Sequence, residues 1–160
     1  MAKKAKKIPG IGDLVPDFTV PSTEGSDFKL GTHKGKIVVL YFYPKDSTPG
    51  CTIEGNEFSK LSAQFQKQGA KVYGISRDTL KSHENFKSKQ CFKIDLLSDT
   101  EEELCALFDV IKEKNMYGKK VMGIVRSTFV INEDGRLAAE WRKVKAEGHA
   151  QEVLDKIKSF

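Results

Sequence analysis

Long apolar runs are missing from this chain. The longest, Ile37 to Tyr43, covers seven residues, against the roughly 20 that a helix needs to cross a bilayer, so no membrane role is expected. Cysteine is scarce and odd in number: Cys51, Cys91 and Cys105. That excludes a disulfide framework and points to a reducing, cytoplasmic setting with reactive or buried thiols. The three histidines, His33, His83 and His149, lie far apart and away from the cysteines, so no structural metal site is expected. No apolar stretch follows the N-terminal lysines, and no secretory signal is expected there. Nicotinamide and flavin motifs are absent as well, so the chemistry is expected to need no cofactor.

What is present reads as an ordinary globular composition. Hydrophobic residues make up 39% and charged residues 31% of 160 residues, which excludes wholesale disorder and suits one compact domain. The net charge of +5 invites an anionic partner, but Lys3, Lys4, Lys6 and Lys7 carry most of it. Without those four, only +1 remains over residues 8–160. Residues 1–9 therefore read as a flexible basic tail and 10–160 as the domain.

Along the chain, Asp17–Pro21 and Phe28–Leu30 alternate in polarity around a turn, an N-terminal antiparallel β-hairpin. Lys36–Tyr43 is a mostly β-branched and aromatic run, as in a central strand buried on both faces. Pro44 ends it. Phe58, Leu61 and Phe65 recur at helical spacing up to Gly69. Lys71–Ser76 is a second strand, a polar helix runs from about Leu80 to Gln90, and Ile94–Leu97 makes a third strand. Asp99 or Thr100 is expected to cap a helix starting at Glu101. Ser127–Ile131 and Leu137–Trp141 form a late hairpin around 132–135, and residues 151–159 close as an amphipathic helix. Strands alternating with helices, with one late antiparallel pair, predict an α/β fold whose central mixed β-sheet is flanked by helices.

The chemistry concentrates in Tyr41–Glu54. A buried strand delivers a loop that ends at Cys51, at or next to the first turn of a helix. Unpaired amides and the helix dipole there favour a thiolate, the nucleophilic form. The alternative is a small buried cysteine beside a turn. Thr48 alone reads as a turn hydroxyl, Arg126 alone as a surface ion-pair partner, and Glu54 as an acid complementing the helix dipole.

Pro44-x-x-x-Thr48-x-x-Cys51 matches the signature of peroxiredoxins, and Arg126–Ile131 resembles their second active-site segment. Tyr41–Glu54, Ile111–Gly118 and Trp141–Lys145 are similar to the bacterioferritin-comigratory, or Q-type, subfamily, and the likeness runs from about Leu14 onward. The resemblance implies a thioredoxin-like fold and thiol-dependent reduction of hydrogen peroxide and organic hydroperoxides. By that resemblance Cys51 is the peroxidatic cysteine, becoming a sulfenic acid. Thr48 orients the peroxide, Arg126 stabilises the thiolate and the leaving oxygen, and Pro44 screens the thiolate.

Many members of that subfamily carry a resolving cysteine five residues after the first, where this chain has Asn56. Others carry it in the following helix, where this chain aligns Lys87. Cys91 lies four residues later, one helical turn along the same face. A Cys51–Cys91 disulfide and a one-cysteine mechanism both stay open. Cys105, among Leu104, Leu107 and Phe108, reads as core.

The resemblance further implies thioredoxin as the reductant, or glutaredoxin or glutathione if Cys91 does not resolve, and a monomer. A disulfide oxidoreductase would need Cys-x-x-Cys, but the residue three after Cys51 is Glu54. The lysine tail could touch nucleic acid nonspecifically, yet no basic-aromatic platform accompanies it, so no specific nucleic-acid partner is expected.

Overall fold

The computed structural model describes residues 8–160, so the four lysines of the basic tail lie outside the described residues. The chain begins with a two-stranded antiparallel hairpin, β1 (Thr19–Val20) and β2 (Phe28–Lys29), and a short 3-10 helix at Leu30–His33. The apolar run then becomes β3 (Ile37–Phe42), buried at every position. Helices α1 (Pro49–Lys60) and α2 (Ser62–Lys67) follow, then β4 (Ala70–Ser76), α3 (Leu80–Gln90), β5 (Asp95–Ser98) and α4 (Glu103–Leu107). A hairpin of β6 (Ile111–Met116) and β7 (Lys119–Ile124) precedes the pair β8 (Ser127–Ile131) and β9 (Leu137–Arg142), and α5 (His149–Lys158) ends the fold.

The central sheet has the order β5-β4-β3-β8-β9. β3 pairs in parallel with β4, and β4 with β5, while β8 and β9 run antiparallel. β3 is therefore the middle strand, and both its faces are covered. Val39, Tyr41 and Tyr43 pack with Phe58, Phe65, Phe86 and Ile157 under α1, α2, α3 and α5. Val38, Leu40 and Phe42 face the other layer, with Phe108, Phe129 and Leu104. Period-2 alternation assigns neighbouring residues of one strand to the two layers.

Three local expectations change. The expected helix up to Gly69 is two helices that meet at Leu61. α4 starts at Glu103 rather than Glu101, because Glu102 takes a left-handed conformation. The carboxylate of Asp99 instead accepts the amides of Leu104 at 3.1 Å and Cys105 at 2.8 Å. The segment Ile111–Gly118, which matters to the family likeness, is most of an exposed β-hairpin. Its charged, lysine-rich sequence carries no alternating apolar pattern from which strands could be read.

Candidate active site

β3 ends at Phe42, and the loop 43–48 returns the chain to the start of α1. Thr48 is the N-cap in extended conformation and Pro49 the first helical residue, where a missing N–H costs nothing. Cys51 is thus the third residue of a twelve-residue helix and is buried, 2% exposed. The positive end of the helix and its first unpaired amides lie beside the sulfur. Thr48 does not cap with its side chain: Oγ1 donates to the carbonyl of Lys45 at 2.8 Å.

Arg126 stands just before β8, the strand paired with β3. Its Nη2 donates to Cys51 Sγ at 3.5 Å, and its Nη1 donates to Glu54 Oε1 at 2.6 Å. The guanidinium is mostly buried and Glu54 wholly so, with side-chain exposures of 16% and 0%. Arg126 is thus not the surface ion-pair partner that it reads as when taken alone. Glu54, expected as an acid complementing the helix dipole, lies one helical turn after Cys51 on the same inward face and is wholly buried. That spacing, together with an arginine needing an anion, was the available signal.

Burial pushes the Glu54 carboxyl up to about 7, against the pull of Arg126. Glu54 Oε2 has no hydrogen-bond partner among the described residues, nor has the buried hydroxyl of Tyr41, whose ring stacks on Phe58. For Arg126, burial would lower the pKa, but Glu54 and the Cys51 sulfur outweigh it and raise it.

The loop itself is pinned by Asp46, which sequence reasoning missed. Its carboxylate accepts Tyr43 Oη at 2.7 Å and Ser82 Oγ at 2.8 Å, and meets His83 Nδ1 at 2.7 Å. His83 Nε2 faces the Leu97 carbonyl at 2.8 Å. Burial would raise the Asp46 pKa, but these partners, His83 foremost, hold it below the usual carboxylate value. Asp46, Asp78 and His83 bring donor atoms within 4.8 Å of one another. Those of Asp46 and His83 are already engaged, and Asp78 accepts Ser76 Oγ at 2.5 Å, so the cluster acts as a hydrogen-bond hub tying the loop to α3.

Pro44 is half-buried and lines a cleft of about 660 Å³ together with Arg126. Pro44, Thr48, Cys51 and Arg126 therefore gather at one end of β3 and α1. Cys91 does not join them. α3 ends at Gln90, and Cys91 is a left-handed C-cap with φ 57°, so it leaves the helical face of Lys87, whose amine pairs with Asp95. The Cys91 thiol is exposed in a second cleft that Ile53, Asn56 and Lys60 of α1 also line. Phe92 fixes this corner: a Cβ on Gly55 would sit 2.5 Å from its ring, so only glycine lets the two elements approach. Lys93 N also donates to Ser59 Oγ at 2.7 Å. Cys105 lies in the opposite layer, buried, where desolvation and Asp99 raise its pKa.

Residues 11–140 match the AhpC/TSA family. Peroxiredoxin Bcp of Xanthomonas campestris is 53% identical over 143 residues, 89% of each chain, and that of Bacillus subtilis 45% over 150, covering 94% of this chain and 96% of its own. A mutant of Xylella fastidiosa PrxQ superposes with a TM-score of 0.90 at 44% identity, covering 96% and 98% of the two chains. The Xanthomonas campestris bacterioferritin comigratory protein, studied for its alkyl peroxide reduction activity, gives 0.84 at 52%, covering 89% of this chain and 90% of its own. The sheet with helices on both faces is accordingly thioredoxin-like. This chain belongs to the AhpC/TSA family and, within it, to the Bcp or Q-type peroxiredoxins.

Proposed function

We infer that the protein reduces hydrogen peroxide and organic hydroperoxides at Cys51 and that Cys91 resolves the oxidised sulfur. The observation that carries the first half is the Arg126 contact to a buried sulfur at a helix N-terminus. The Cys51 thiolate attacks the terminal peroxide oxygen; an S–O bond forms, the O–O bond breaks, and the leaving oxygen takes a proton. Thr48 Oγ1 has committed its proton to Lys45, so its lone pairs accept the hydroperoxide O–H and aim the substrate. Arg126 stabilises the charge that develops on the leaving oxygen. Pro44, with no N–H of its own, closes the side of the pocket without competing for the peroxide.

For resolution, the Cys91 thiolate attacks the sulfenic sulfur and hydroxide departs, taking a proton to leave as water. Cys91 shares a cleft with Asn56, the position five residues beyond Cys51. Five helical residues rise about 7.5 Å, so opening the first turns of α1 brings the sulfurs together. Cys51 and Cys91 stand as free thiols in the closed form, one buried and one exposed. A thioredoxin-type dithiol then returns the disulfide to two thiols, and the chain works as a cytoplasmic monomer.

One experiment tests both halves. After one equivalent of peroxide, peptide mapping is expected to show a Cys51–Cys91 link, and Cys51→Ser is expected to abolish turnover. A lasting Cys51 sulfenic acid beside free Cys91 would establish the one-cysteine cycle with a small-thiol or glutaredoxin donor. Turnover by Cys51→Ser would overturn the reading entirely.

A further inference from the structure

The cleft beside Pro44 and Arg126 is more than the peroxide needs. Its volume of about 660 Å³ is in the range of a small-molecule site, whereas the reacting O–O group is two atoms. Val110, Val125 and Val144 supply apolar lining, and β6 supplies Lys112, Lys114 and Glu113, the last paired with Lys120 at 3.7 Å.

Those lysines are not equivalent. Lys112 pairs with Asp109 at 2.7 Å, and Arg142 with Glu140 at 3.5 Å. Arg126 is taken by Glu54. Lys114 and Lys143 have no carboxylate within ion-pair distance among the described residues. Lys143 is exposed, but Lys114 is half-buried. Its side chain lies across Gly123, where a Cβ would come within 3.3 Å of it, and its amine donates to the carbonyl of Ile124. A lysine ammonium has three donors, so a fixed cation stands in the cleft with donors left over. Burial lowers its pKa, and the Arg126 charge lowers it further. An anion in the cleft would relieve both penalties.

We propose that this cleft is a substrate subsite that takes organic hydroperoxides carrying a carboxylate, with Lys114 receiving the carboxylate, Lys143 assisting, and the valines covering the carbon skeleton between it and the peroxide. This rests on peroxide reduction at Cys51. The subsite adds no chemical step; it raises the local concentration and orientation of one class of substrate at the same thiolate.

The test uses the full-length protein and a matched pair of probes, cumene hydroperoxide bearing a para-carboxylate and its methyl ester. They differ only in charge. The acid is expected to show about tenfold higher kcat/KM than the ester, the effect of one charge-assisted hydrogen bond. Lys114→Met is expected to bring that ratio to about one, and Lys114→Arg to keep most of it. Lys158→Met, which removes the same charge from an exposed side chain on α5 outside the cleft, is expected to leave the ratio intact. Equal rates for acid and ester in the unaltered protein would overturn the proposal. So would a ratio that falls as far with Lys158→Met as with Lys114→Met, since general surface charge would then explain it. Hydrogen peroxide serves as the reference: its reduction without any acid preference sinks the subsite alone, whereas no reduction at all sinks the peroxidase reading.

Discussion

Cys51 and Glu54, one turn apart on α1, share a single guanidinium: Arg126 gives one nitrogen to the sulfur at 3.5 Å and the other to the carboxylate at 2.6 Å. The arginine therefore does two jobs. It pairs with a carboxyl buried in the core and presents its second nitrogen to the Cys51 sulfur, in a geometry that the carboxyl fixes.

Arg126→Met is expected to lower kcat/KM for hydrogen peroxide by about 100-fold, the usual scale for losing one preorganised donor. It also strands Glu54 without its cation, so unfolding free energy at pH 8 is expected to drop by about 3 kcal/mol. Stopped-flow peroxide consumption and urea denaturation check the two effects. Unchanged kinetics would remove Arg126 from the chemistry.

Glu54 makes stability pH-dependent in a defined direction. Its carboxyl rises from an ordinary 4.5 to about 7 in the fold, so the folded state binds the extra proton. The stability it confers is complete below pH 4.5 and lost as pH rises through 7. At 1.36 kcal/mol per unit, the 2.5-unit gap limits that loss to about 3 kcal/mol. Glu54→Gln is expected to flatten this part of the profile, read as Tm between pH 5 and 8. A profile identical to the unaltered protein refutes it.

Asp46 shows the opposite sign. His83 and two hydroxyls hold its pKa below the usual value despite burial, so its contribution is present above the unfolded pKa and lost as acid protonates it. Asp46→Asn is expected to cost about 3 kcal/mol at pH 7, because it leaves one member of a buried, hydrogen-bonded pair alone. Calorimetry at pH 7 decides this.

Gly55→Ala is expected to destabilise the protein by about 1–3 kcal/mol through overpacking, since the new Cβ would fall 2.5 Å from the Phe92 ring. Loosening the corner that holds Cys91 against α1 is also expected to speed Cys51–Cys91 closure several-fold after peroxide. Slower closure would show that this packing aids the reaction rather than restrains it.

Most of the fold and half of the site were legible in the chain. The apolar run Ile37–Phe42 could only be an interior strand, and the spacing of Pro44, Thr48 and Cys51 needed no neighbours to interpret. The β6–β7 hairpin was not legible, because most of its residues are polar or exposed and its sequence shows no alternating apolar pattern.

The sequence by itself determined the central strand, the layered α/β order and the helix-start cysteine, because local periodicity and turn chemistry act within a few residues. Only the tertiary structure decided which charges meet. Arg126 and Glu54 are 72 positions apart, and a carboxylate that reads in sequence as a complement to the helix dipole becomes the buried partner of that arginine. The same holds for Cys91: its place on a helical face was an extrapolation of period, and a left-handed cap turned it toward Asn56 instead. Contacts at long separation depend on where strands pair and helices dock, and no local pattern encodes them.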